Sequence, residues 1–82
     1  MVAILRLKRI LEPVIARVER ELGIRILWDV VGDQKNTKYV LKIAGSMSGE
    51  IIIPDIASDD VIASRMYASL NRHFEPPSSL HA

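Results

Sequence analysis

The sequence contains no cysteine among its 82 residues. This absence excludes disulfide bonds, metal sites built on thiolates and cysteine nucleophiles. Only two histidines are present, and the spacing of His73 and His81 matches no standard set of metal ligands. No Gly-x-Ser-x-Gly motif and no Gly-x-x-x-x-Gly-Lys loop is present to provide a nucleophile or hold a phosphate. We therefore expect a protein that is not an enzyme and that uses no cofactor or metal ion.

Long apolar runs and a strong excess of one charge are also missing. No stretch approaches the roughly 20 apolar residues that span a bilayer. The net charge of +1 is too close to neutral to indicate a nucleic-acid partner by itself. The segment Met1–Leu11 lacks the basic end, apolar block and cleavage site of a secretory signal. These features predict a cytoplasmic protein with no membrane partner, and no small-molecule substrate is evident.

The composition is nevertheless that of a folded chain, with 49% apolar and 26% charged residues. The length predicts one domain over residues 1–75, and the proline-containing segment 76–82 is expected to be a flexible C-terminal tail. The mean hydropathy of +0.17 is high for a domain with so small an interior. Some apolar side chains should therefore stay on the surface unless a partner covers them.

Two segments have the apolar spacing of helices. The stripe in the first segment recurs every three or four residues and consists of Ile4, Leu7, Leu11, Val14, Val18 and Leu22. It predicts a helix over residues 3–22 that ends at Gly23. Pro13 leaves two alternatives, a kinked single helix, which the unbroken phase of the stripe favours, or a new helix that starts at Glu12. Ser58 and the two aspartates after it predict the start of the last helix.

Three segments between these helices alternate between apolar and polar residues, at positions 24–31, 37–44 and 50–53. The short connections between them predict antiparallel pairing. The fold class is therefore α+β, in the order α-β-β-β-α, with two helices on one face of a three-stranded antiparallel sheet. The sheet residues expected under the helices are Ile24, Ile26, Trp28, Tyr39, Leu41 and Ile43.

The opposite face of the predicted sheet is not purely polar. Its expected members are the apolar residues Leu27, Val31, Val40 and Ile52, framed by Lys38 and Lys42. Uncovered apolar side chains grouped on one face are typical of a surface that contacts a partner. We therefore predict that these six residues form a protein interface, either with a second copy of the chain or with a host protein.

The order of elements resembles that of double-stranded-RNA-binding domains and of HicA-type mRNA-interferase toxins. Three short strings also resemble small phage and prophage proteins of this shape: Thr37-Lys38-Tyr39, Ala57-Ser58-Asp59 and Leu70-Asn71-Arg72. The first resemblance implies binding to RNA across its grooves. The second implies a phage or prophage protein that binds or inhibits a host protein.

Two functions follow from these observations. The first hypothesis is a small, non-catalytic protein-interaction module that forms a homodimer. The alternative is an RNA- or DNA-binding protein that uses the basic first helix and the lysine face, through Arg6, Lys8, Arg9, Lys35, Lys38 and Lys42. The aspartates Asp59 and Asp60 at the start of the last helix would repel phosphate, which makes nucleic-acid binding the second choice.

Overall fold

The computed structural model describes residues 2–33, 38–45, 47–54 and 58–75. It consists of α1 (Val2–Leu22), β1 (Leu27–Asp33), β2 (Lys38–Ala44), β3 (Gly49–Ile53) and α2 (Asp59–His73). The strands form one antiparallel sheet in the order β1-β2-β3. The predicted α+β class and the predicted order of elements are therefore confirmed. The predicted tail, residues 76–82, and Lys35 lie outside the described residues.

α1 is a single helix that continues through Pro13, as the unbroken apolar stripe predicts. It ends at Gly23, whose φ of +66° is the left-handed conformation that glycine adopts without strain. The next residue, Ile24, donates its backbone N–H to the carbonyl of Glu19 at 3.1 Å. This bond and the left-handed glycine together form a Schellman cap, which satisfies a free carbonyl at the end of the helix.

The cap corrects the predicted start of the first strand. Residues 24–26 form the connection after α1, and β1 covers Leu27–Asp33 rather than residues 24–31. Ile24 is 37% exposed and does not belong to the sheet face on which it was placed. Ile26 is buried all the same, and its backbone N–H donates to the carboxylate of Glu19 at 2.8 Å. The alternation continued into the connection because Ile24, Arg25 and Ile26 are apolar, charged and apolar in turn.

α2 begins where the sequence predicts. The side chain of Ser58 accepts a hydrogen bond from the N–H of Val61 at 3.4 Å. Near the start of both helices Arg6 pairs with Asp59, and farther along both Tyr67 donates to Glu21. The two helices thus lie side by side and run in the same direction. Within the described residues, neither has the length and apolar character needed to cross a membrane.

The register of the sheet determines which face the helices cover. The core lies between the inner sheet face and the two helices, and its buried members include Val30, Leu41, Ile43, Ile53, Leu11, Val18, Met66 and Leu70. Trp28, Tyr39 and Ile51 share the inner face and are half-buried. Because direct partners across antiparallel strands share a face, every second residue of each strand lies on the outer face.

Candidate interaction surface

The outer face of the sheet is organised in rows that run across the strands. Val31 is opposite Val40, and Val40 is opposite Ile52, which gives an apolar row of three side chains. Asp29 is opposite Lys42, and Lys42 is opposite Glu50, which gives a charged row beside it. We call the first the apolar row and the second the charged row.

The exposure of the apolar residues identifies the part of this face that is open. Ile52 at one edge and Leu27 at the other edge are each 60% exposed. Val31 and Val40 are half-buried, because the neighbouring side chains of a sheet shield each other. The sequence-predicted interface residues are thus brought together on one face, and that face points away from both helices.

Each charge in the charged row is paired with a charge of opposite sign. Lys42 lies 3.8 Å from the carboxylate of Glu50 on the next strand. Lys8 on α1 reaches over the edge of β1 to within 3.1 Å of the Asp29 carboxylate. Hydrogen bonding from Lys8 and from the Val30 backbone N–H lowers the pKa of Asp29 below its usual range. The row therefore presents paired charges rather than an excess of one sign.

The two edges of the sheet differ in how their backbone groups are used. The Val30 N–H on β1 donates to the Asp29 carboxylate at 2.9 Å, so it points away from β2. The Ile26 N–H just before this strand is bound by Glu19. Carboxylates of the chain therefore occupy donors along the β1 side, which is one way in which proteins protect an edge strand from pairing.

The β3 edge has no such protection among the described residues. Alternation from β1 through β2 directs the N–H and C=O of Glu50 and Ile52 away from β2. No described residue hydrogen-bonds to that side of β3. The strand contains no lysine or proline, and three of its five residues are isoleucine, a residue that favours extended structure.

The described basic residues of the alternative site, which are all but Lys35, do not converge on one surface. Arg6 pairs with Asp59 of α2, whereas Lys8 pairs with Asp29 of β1, so these neighbours on α1 point in different directions. Lys42 is paired on the outer sheet face. Arg9 and Lys38 are exposed on different elements. The five of these residues that the structure describes form no continuous basic strip of the kind that tracks a phosphate backbone.

His73 has a structural contact that the sequence did not indicate. We expect it to be favourable at the end of α2, where the helix dipole stabilises a cation. In the fold its Nε2 donates to the carbonyl of Met47 in the turn between β2 and β3, at 2.6 Å. Since a carbonyl only accepts, Nε2 carries a proton in this contact. The ring also lies directly over Gly49, so it connects the end of α2 to the start of β3.

A second polar contact joins the two helices. Tyr67 donates its hydroxyl to Glu21, and Arg17 donates to the same carboxylate at 3.1 Å. The Arg17 guanidinium also stacks over the Tyr67 ring, 4.4 Å from its centre. The hydrogen bonds from Tyr67 and Arg17 hold the pKa of Glu21 below its usual range. These three side chains therefore connect α1 to α2.

Two open depressions lie on the surface of the described residues. One open depression lies at the end of the sheet that carries Leu27, Ala44 and Gly49. Another lies between the helices beside Pro13 and Tyr67. Within the described part of the chain, no three His, Asp or Glu side chains are placed to hold a metal ion.

Comparison with known proteins returned no match to a family model, to a curated protein or to a solved structure.

Proposed function

We propose that this protein is a small, non-catalytic protein-interaction module that self-associates through its outer sheet surface. The observation that supports the proposal most is the pair of isoleucine and leucine side chains, Ile52 and Leu27, that are 60% exposed on the face opposite the helices. The half-buried Val31 and Val40 continue the apolar surface from Ile52 across the sheet, and Leu27 lies on the other side of the charged row. Covering such a surface with a partner stabilises the complex, by about 25 cal/mol for each Å² of apolar surface removed from water.

The charges around this surface favour a protein partner over a nucleic acid. Lys42 is paired with Glu50, and Lys8 is paired with Asp29. Phosphate binding would have to displace these carboxylates, whereas an apolar contact leaves them in place. Association driven by the apolar row should therefore depend only weakly on salt, in contrast to binding through phosphate contacts.

The test is a pair of variants matched in exposure. Ile52 is 60% exposed on the outer sheet face, and Leu5 is 62% exposed on α1. Ile52→Lys should reduce self-association at least tenfold, because it places a charge in the apolar row. Leu5→Lys should leave self-association unchanged. The measurement is molar mass by light scattering across a range of concentrations, at low and high salt.

Equal effects of the two variants would show that the outer face has no special part in association. A mass that falls steeply as salt is added would point to charge rather than apolar contact, and it would also contradict the proposal.

A further inference from the structure

We propose that two copies of the chain pair edge to edge through β3, so that they form one continuous six-stranded antiparallel sheet. This inference rests on the proposed function of a self-associating module. It places the contact at the β3 edge of the outer sheet surface, so that Ile52 is shielded while the rest of that surface stays open. Three observations support it. The backbone donors of the β1 edge are occupied whereas those of the β3 edge are open among the described residues, the register aligns the outer faces, and Pro54 directly follows β3.

The unequal edges identify the strand that pairs. Asp29 and Glu19 occupy the N–H groups of Val30 and Ile26 on the β1 side. Lys8 lies against Asp29 at the same edge. The β3 edge, by contrast, presents the N–H and C=O groups of Glu50 and Ile52 to the outside, with no described residue on them. An edge of this kind is a template for another strand.

The apolar row identifies a second copy as the partner. A two-fold axis through position 52 places Ile52 directly opposite Ile52 of the second copy, on the same face of the joined sheet. The apolar row, Val31–Val40–Ile52, then continues into the same row of the second copy. The most exposed side chain of the row thereby gains an apolar neighbour that the single chain does not provide.

The backbone groups are consistent with this register. Ile52 would exchange two hydrogen bonds with Ile52 of the second copy, as a direct partner in an antiparallel ladder does. The N–H of Glu50 would donate to the carbonyl of Pro54 in the second copy. Pro54 follows β3 directly and has no N–H of its own, so the ladder ends at that position.

Stacking the outer face on its own copy is less favourable because of the charged residues. A two-fold axis along β2 through Val40 superposes the apolar rows but places Lys42 against Lys42 of the second copy. An axis along the apolar row places Lys42 against the second copy's lysine at position 38. Edge pairing avoids both of these lysine contacts and leaves the pairing of Lys42 with Glu50 intact.

The absence of cysteine makes a direct crosslinking test possible. The variant Ile52→Cys would place two thiols opposite each other in a hydrogen-bonded pair, with Cα atoms about 5.5 Å apart, within the range of disulfides. Leu27→Cys is the matched control, since Leu27 has the same exposure on the same face but lies on β1. Under mild oxidation, dimer formation should be at least tenfold faster for Ile52→Cys than for Leu27→Cys.

Equal rates for the two cysteine variants would overturn the inference. Faster crosslinking through Ile51→Cys than through Ile52→Cys would overturn the register. A measurement on the unmodified chain checks the result without substitution: exchange of the Ile52 amide hydrogen should slow as concentration rises, whereas exchange at Trp28 on the β1 edge should not. If the unmodified protein has a dimeric mass but neither result appears, edge pairing is wrong and self-association stands. A monomeric mass throughout would contradict the proposed function itself.

Discussion

Gly49 is required by the ring that lies over it. A Cβ built on Gly49 would come within 2.6 Å of the His73 Cε1 atom, and the ring is held by its bond to the Met47 carbonyl. Gly49→Ala must therefore displace His73, and we expect a loss of about 1–3 kcal/mol in the free energy of unfolding. Urea denaturation measures the loss. Gly32→Ala is the control, because a Cβ there meets only Tyr39 at an ordinary 3.5 Å.

The same pair can be checked by a double-mutant cycle. If the ring causes the strain, Gly49→Ala should cost less in a His73→Ala background than in the unmodified protein. The same cost in both backgrounds would show that the ring is not the reason for the glycine.

The lowered pKa of Glu21 makes the free energy of unfolding depend on pH in the acid range. Its folded pKa is lowered by Tyr67 and Arg17, so its carboxylate stabilises the fold at any pH above the ordinary pKa of an unfolded glutamate. That contribution is lost as the pH falls through the lower folded pKa. Glu21→Gln should therefore be less stable than the unmodified protein at pH 7, and the difference should vanish at low pH.

Urea denaturation from pH 7 to pH 2 measures this difference. Glu12→Gln on the same helix serves as the control, since Glu12 forms no ion pair with a described residue. A difference between Glu21→Gln and the unmodified protein that stays constant with pH would contradict the assignment.

At the scale of elements, α1 tolerates a proline that removes one of its hydrogen bonds. Pro13 is exposed and lies inside the continuous helix Val2–Leu22, so the carbonyl of Arg9 has no N–H four residues later. Pro13→Ala restores that donor and should raise the free energy of unfolding by about 1–2 kcal/mol, less than the full cost of about 3 kcal/mol for proline in a helix interior. Thermal denaturation measures the change, and a lower midpoint would show that packing against α2 requires the proline.

The boundaries of the helices and strands show which parts of the fold can be predicted from the sequence. Apolar spacing predicts both helices, and local chemistry predicts the roles of Ser58 and Gly23, because a cap depends on residues close in the chain. The predicted start of β1 was wrong, because the alternation of apolar and polar residues does not distinguish a connection such as 24–26 from a strand.

The sequence predicts which residues lie on the outer sheet face, but it does not predict how they are aligned across the strands. Period-two alternation places Leu27, Val31 and Val40 on one face without knowledge of the pairing. The rows and the contrast between the edges depend on the register and on distant partners, such as Lys8 with Asp29. Nothing in the local sequence specifies such contacts, because they depend on how α1 lies on the sheet.

For the whole molecule, the small size explains why apolar surface remains. A domain of this length buries only about 60–65% of the surface of its unfolded chain, and both helices are already used on one face of the sheet. The outer face therefore keeps Leu27 and Ile52 in contact with water. A second copy is the partner that requires no other component, and pairing through β3 would shield Ile52 and occupy the open edge of that strand.

Sedimentation of the unmodified chain over a wide range of concentration tests this account most directly. The account predicts a mass that rises from 9.2 kDa toward twice that value as concentration increases, with little change on addition of salt. A mass that stays at 9.2 kDa at every concentration would contradict it.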